Sequence, residues 1–290
     1  MSPGARLRAT IAQAAPAQAM AAHNPLSAML VAEAGFEAIW SSGFELSASL
    51  GLPDISLVSM TQHLESTRAI AERSGLPVVA DIDTGFGNAL NVHYAVEQYE
   101  RAGAAAVVIE DKSFPKVTSL VAEGRQELVR APEFQGKIEA ARAARRDPQF
   151  LIVARTEALI AGLGQAEALA RAHAYEAAGA DMVLVHSKQK TPAEIEAFIA
   201  AWDGKVPLVL VPTAYPQMDV ARVRALGKVG LVIWGNHALR AATRAMRETF
   251  ARIRRDGGVG GTEGSIASVQ DLFDLQDMAG VKDKETRFLR

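Results

Sequence analysis

The chain has 290 residues, 49% of them hydrophobic and 22% charged, with a formal net charge of −2. That balance describes a globule with no bulk attraction to nucleic acid or to an anionic membrane, so a small-molecule ligand is expected. Cysteine is absent, which excludes disulfides, thiolate metal sites and a cysteine nucleophile or acid.

Taken in order, the chain opens on an Ala-rich segment, residues 9–22, that resembles a signal sequence only faintly. Gln13, Pro16, Gln18 and His23 interrupt it. No run approaches the length of a membrane span, and the cytoplasm is the expected compartment. Apolar segments then recur at Gln18–Ala22, Ala38–Ser42, Pro77–Asp83, Ala106–Asp111, Phe150–Arg155, Asp181–Ser187, Pro207–Pro212 and Gly230–Gly235. Most are continuous rather than alternating, the mark of parallel strands covered on both faces.

Helical patterns lie between them. Ser59 and Gln62 have capping-box spacing, and Thr191-Pro192-Ala193-Glu194 predicts a helix capped by Thr191, with Pro192 at its first position and Glu194 reaching back. Gly35, Gly75, Gly103 and Gly179 each stand between a helical stretch and the next strand, where a left-handed residue ends a helix. Strand and helix alternating eight times predict a closed (β/α)8 TIM barrel. A doubly wound open sheet is the alternative, but no Gly-x-Gly-x-x-Gly turn follows the first strand. A long helix is expected over His237–Asp256, then a glycine-rich turn, Gly257–Gly261, and a last helical pair near Ser268–Met278 and Lys282–Arg290. The expected division is a barrel over residues 1–256 and C-terminal helices over 257–290, hinged so that the tail can pack on a neighbouring subunit.

In a parallel barrel the residues just past each strand share one mouth. Here they are Trp40-Ser-Ser-Gly-Phe44, Asp81-Ile-Asp83, Glu110-Asp111-Lys112, Arg155-Thr-Glu157, His186-Ser-Lys188 and Gly235-Asn236. Charged groups so near a core demand partners. Asp81, Asp83 and Glu110 form an oxygen-only set suited to Mg2+ or Mn2+, although a rim network with Lys112 and Arg155 would read the same. Ser42-Gly43-Phe44 offers closely spaced amides to an oxyanion, or is a plain turn. Arg155 can grip a carboxylate, or pair with Glu157 or Asp83. His186 can donate to a ligand oxygen. The other histidines receive no function, with His63 and His93 expected on helix surfaces.

The stretch Glu110–Arg125 leaves a buried strand and turns at once charged, with Pro115 forbidding helix and Gly124 loosening its end. It is expected to be an active-site gate, though an ordinary solvated loop would have the same composition.

Together, Trp40-Ser-Ser-Gly-Phe, Asp54, Asp81-x-Asp83-x-Gly-Phe-Gly, Glu110-Asp-Lys-x-Phe-Pro-Lys-x-Thr-Ser, Arg155 and His186 resemble the phosphoenolpyruvate mutase/isocitrate lyase superfamily, over nearly the whole chain. The resemblance implies a Mg2+-dependent barrel acting on α-keto or α-hydroxy acids through an enolate-like intermediate, with Mn2+ or Co2+ as substitute ions. It implies metal on Asp81, with Asp83, Glu110 and Asp54 around it through water. It places the substrate carboxylate and enolate oxygen near Trp40, Ser42, Gly43, Phe44 and Arg155, and a phosphonyl group near Lys116, Thr118, Ser119, Arg155 and His186. Asp54 would orient metal-bound water or accept the phosphoryl group. A homo-oligomer, dimer or tetramer, with exchanged C-terminal helices is implied as well.

The carbon-carbon lyases of the superfamily carry a catalytic cysteine in the loop after strand four, which this chain lacks. Its mutases carry Asn where this chain has Thr118, and its hydrolases carry Thr. The expected reaction is therefore hydrolysis of the phosphorus-carbon bond of 3-phosphonopyruvate through a Mg-stabilised pyruvate enolate. A phosphonopyruvate/phosphoenolpyruvate mutase is the alternative, and a non-catalytic α-keto acid binder lies further off.

Overall fold

The computed structural model describes residues 1–13, 16–119 and 126–289. They form two compact units, Met1–Asn236 and His237–Arg290. The first opens with α1 (Pro3–Gln13), β1 (Ala17–Ala22), α2 (Pro25–Glu33), β2 (Ala38–Ser41), α3 (Gly43–Ser49) and α4 (Met60–Ser74). It continues through β3 (Val78–Asp81), α5 (Ala89–Arg101), β4 (Ala106–Glu110), α6 (Ala131–Ala144), β5 (Leu151–Thr156) and α7 (Gly164–Ala177). Then come β6 (Met182–Val185), α8 (Ala193–Ala201), β7 (Leu208–Leu210), α9 (Val220–Leu226) and β8 (Val229–Trp234).

The strands pair in parallel, in sequence order, and β1 closes on β8, with Ala19 opposite Ile233. The barrel expectation holds and the open sheet is excluded. Inside, small residues such as Ala19, Ala21, Ala38 and Ala106 share the lumen with Trp40, Val108, Val153, Leu184 and Ile233. Outside, separate apolar layers seal α2 and α4, α5 and α6, and α8 and α9 onto the strands. Strands buried on both faces explain the unbroken apolar runs.

No sequence pattern marked α1, which closes the floor. Arg6 Nη1 donates to Gly75 O at 2.7 Å, Arg8 Nε to Gln149 O at 2.9 Å, and Arg8 Nη2 to Asp181 Oδ1 at 2.7 Å. All three acceptors stand just before strands, at the end opposite the mouth. Leu7 plugs the lumen there, fully buried, and its truncation to Ala would cost on the order of 3 kcal/mol.

The helix boundaries fall largely as their signals predict. Ser59 and Gln62 form the capping box of α4, and Gly35, Gly75, Gly103 and Gly179 are all left-handed. The cap at Thr191 does not form. Helix α8 begins at Ala193, so Pro192, which has no capping side chain, takes the cap position, and the Glu194 carboxylate accepts the Ser187 hydroxyl instead of reaching back. The second unit comprises α10 (His237–Asp256), a single 3-10 turn at Glu263–Ser265, α11 (Val269–Leu275) and α12 (Met278–Phe288).

Candidate active site

Helix α3 starts straight out of β2. The Ser42 hydroxyl accepts the Glu45 amide at 3.2 Å, which turns the Gly43 N–H toward the mouth, where it donates to Asp81 Oδ2 at 3.4 Å. A Cβ on Gly43 would stand 3.2 Å from Asp81 Oδ2, Asp83 Oδ1 and His63 Cε1 alike, so a larger residue would press on both carboxylates and the imidazole. Asp83 is left-handed (φ 51°), a strained position for a non-glycine residue, and its amide donates to Asp81 Oδ1 at 3.2 Å. His63 is buried rather than on the helix surface, edge-on to Phe86. The spacing of His63, Leu64, Thr67 and Ile70, all on the buried face of α4, was the signal that could have shown this.

Past β4, the segment through Ser119 folds back over the mouth. Lys116 is anchored by its amide to Ser56 Oγ at 3.1 Å, and its Nζ lies 2.9 Å from Asp54 Oδ1 and 2.6 Å from Asp83 Oδ1. Lys112 is buried beneath, donating to Val117 O and Ser119 Oγ, both at 2.7 Å. The part of the expected gate over residues 120–125, Gly124 included, lies outside the described residues.

From β5, Arg155 Nε donates to Glu157 Oε1 at 2.6 Å and approaches Glu110 Oε2 at 3.3 Å, while Nη2 donates to Ser119 Oγ at 3.0 Å and stands 3.2 Å from His186 Nδ1, whose proton is directed to Glu157. A cavity of ≈ 70 Å³ opens at this point. Trp40, Ser42, Phe44, Asp54, Asp81, Lys116, Thr118, Ser119, Arg155 and His186 line it, all anticipated from the sequence, whereas Gly43, Asp83 and Glu110 do not line it. Val211 and Thr213 also line it and were missed, because the three-residue β7 carries no charged residue at its end to mark them. Gly235 and Asn236 complete the wall.

Burial sets the electrostatics. It raises the Asp81 carboxyl from 3.8 to about 6, against the opposing pull of Lys116. Burial also works against charge on Lys116, but Asp83, Glu110, Asp54 and Asp81 outweigh it and hold the ammonium well above the ordinary lysine range. Glu157 is the reverse case, where burial is overcome by Arg155, His186 and Lys112, and the carboxyl sits well below its usual range.

The family model described as phosphoenolpyruvate phosphomutase matches residues 7–254. The chain belongs to the phosphoenolpyruvate phosphomutase family. Within and around that family, the phosphonopyruvate hydrolase of Variovorax sp. (strain Pal2) is 59% identical over 290 residues, covering 100% of both chains. The phosphoenolpyruvate phosphomutase of Tetrahymena pyriformis is 44% identical over 270 residues, 93% of this chain and 90% of its own. A crystal structure of a phosphonopyruvate hydrolase in complex with oxalate and Mg2+ matches with a TM-score of 0.95 at 57% identity, covering 100% of each chain.

The donor set fits such an ion. Asp54, Asp81, Asp83, Glu110 and Glu157 outnumber the permanent cations Lys112, Lys116 and Arg155 by two, the charge of one divalent cation. Glu110 Oε1 is buried without a hydrogen-bond partner, a costly state that a coordinated water or ion would relieve. Among the described residues, no three carboxylates or imidazoles converge to enclose an ion unaided. A Mg2+ ion here would therefore complete its shell with water, which it ordinarily retains.

Proposed function

We propose that this family member hydrolyses 3-phosphonopyruvate to pyruvate and phosphate. The observation that carries the reading is Thr118 on the cavity wall beside Lys116, Ser119, Arg155 and His186. A hydroxyl there can hold a water in line with phosphorus, where the bulkier asparagine of a mutase would exclude it. The full-length likeness to a phosphonopyruvate hydrolase, closer than that to the mutase, supports the same choice.

In this reading the phosphorus-carbon electron pair leaves with the methylene carbon as pyruvate enolate. The water oxygen joins phosphorus, and one water proton ends on that carbon. Lys116 and His186 neutralise the phosphonyl oxygens, Ser119 and Arg155 orient them, and the Ser42 and Gly43 groups with Phe44 and Trp40 receive the carboxylate end. Asp81 would hold Mg2+ directly, with Asp83, Glu110 and Asp54 reaching it through water. A bound Mg2+ supplies positive charge against the enolate oxygen as it forms. The transition state is loose, so the side chains serve mainly to position and to neutralise.

The segment that carries Lys116 and Thr118 would act as a gate, excluding bulk water once substrate is bound. A homo-oligomer with exchanged C-terminal helices belongs to the same proposal, supported by the exposed Phe250, Val269 and Phe288 and by the glycine turn after α10. Among the described residues no helix is long and apolar enough to cross a membrane, and we place the chain in the cytoplasm.

Incubation with phosphonopyruvate and Mg2+, followed by 31P NMR, tests the reaction. Free phosphate is expected, and phosphoenolpyruvate without phosphate would overturn the reading. Thr118→Asn should lose phosphate release by about 10²-fold, the scale of a misplaced reactant. Unchanged release would remove Thr118 from the mechanism.

A further inference from the structure

Beneath the cavity lies a buried polar cluster to which the proposed reaction gives no role. Glu157, fully buried just past β5, accepts Arg155 Nε (2.6 Å) and His186 Nδ1 (3.2 Å) on Oε1, and Ser119 Oγ (2.5 Å) on Oε2, with Lys112 Nζ at 3.3 Å. One carboxylate thus fixes the direction of three groups on the phosphonyl side. Its own amide is held in turn, donating to Asp111 Oδ1 at 2.9 Å.

Asp111 is fully buried, and its Oδ2 accepts the Tyr175 hydroxyl at 2.6 Å, Arg171 Nη1 at 3.2 Å and Thr156 Oγ1 at 3.3 Å. The same residues grip the root of the gate. Val129 N–H donates to Asp111 O at 2.9 Å and Val129 O accepts Arg171 Nη1 at 3.0 Å. Ser113 N–H donates to Glu127 O at 2.9 Å across the antiparallel Lys112–Leu128 bridge. Both feet of the loop and the backbone of Glu157 therefore meet on one aspartate.

We propose that Asp111, Arg171 and Tyr175 are positioning residues that lock Glu157, and through it Ser119, Arg155 and His186, to the root of the loop carrying Lys116 and Thr118. The inference rests on reading the cavity as the phosphonopyruvate site. None of the three lines the cavity. A cluster serving the fold alone would lower the melting temperature when weakened and leave turnover of the folded protein unchanged. A positioning cluster lowers kcat, because a donor displaced by a fraction of an ångström loses its alignment with the transition state.

The test is a double-mutant cycle of Tyr175→Phe and Glu157→Gln, both conserving shape, with phosphonopyruvate consumption and products followed by 31P NMR at saturating Mg2+. Tyr175→Phe is expected to lower kcat about tenfold with KM within about twofold, and Glu157→Gln to lower it about a hundredfold. In the double variant the tyrosine change should add less than about twofold, since its effect passes through Glu157. Wild-type kcat in Tyr175→Phe, or losses that multiply in the double variant, would overturn the inference. The cycle is read on substrate consumption, whereas the hydrolase reading is read on product identity, so the two fail separately.

Discussion

The two sides of the mouth are built on opposite principles. On the phosphonyl side, Glu157 meets Arg155, His186, Ser119 and Lys112 at once, and both of its oxygens already have partners. On the carboxylate side, Lys116 serves both Asp54 and Asp83, Glu110 keeps a buried oxygen without a partner, and Asp81 has its carboxyl pushed up to about 6. One side is finished before any ligand arrives, and the other is completed by one. A satisfied network holds its geometry, whereas an unsatisfied one stores an affinity for whatever fills it.

The strongest way to break this comparison is Asp81→Ala. Removing the carboxylate that meets the Gly43 amide should abolish Mg2+-dependent turnover, by about 10³-fold or more, since both ion and leaving group lose their anchor. Circular dichroism should still report a folded barrel. Retained Mg2+-dependent turnover would take Asp81 off the metal.

Lys116→Met probes the border between the sides. It should lower turnover about 10²-fold, the scale for losing one charged donor. Because Asp54 and Asp83 then lose their lysine partner, the metal-free protein should melt lower, and added Mg2+ should raise its melting temperature more than it raises that of the wild type. If Mg2+ stabilised both proteins equally, the lysine would not be standing in for cationic charge at this site.

The same contrast explains what could be read from the sequence. The mouth was legible because a (β/α)8 topology sends the residue after each strand to one place, so Asp81, Glu110, Arg155 and His186 needed no contact information to be grouped. Glu157 was visible only as a partner for Arg155, and its hold on Ser119 and His186 was not. Asp111 was read only as one more residue at the mouth, and Arg171 and Tyr175 were not singled out, since their pairing joins the end of β4 to α7 and leaves no local pattern. The floor helix α1 was hidden for the same reason: its arginines find carbonyls that are far away in sequence.

The smallest predicted effect separates the two sides by pH. In the unfolded chain Asp81 titrates near 3.8, and in the folded, metal-free site near 6, because burial disfavours its charge. The folded state thus binds that proton more tightly, so the stability linked to it is fully present below about pH 3.8 and is lost as the pH rises through about 6. A divalent cation competes with the same proton. Apparent Mg2+ affinity should therefore be flat above pH 7 and weaken by up to about tenfold per unit below 6, as isothermal titration calorimetry can measure. Glu157, held well below the ordinary range by its cationic neighbours, stays ionised throughout that window and adds no step. An Mg2+ affinity that stayed constant from pH 7 to pH 5 would mean that the carboxylate side is as finished as the phosphonyl side, and the asymmetry of the mouth would lose its physical basis.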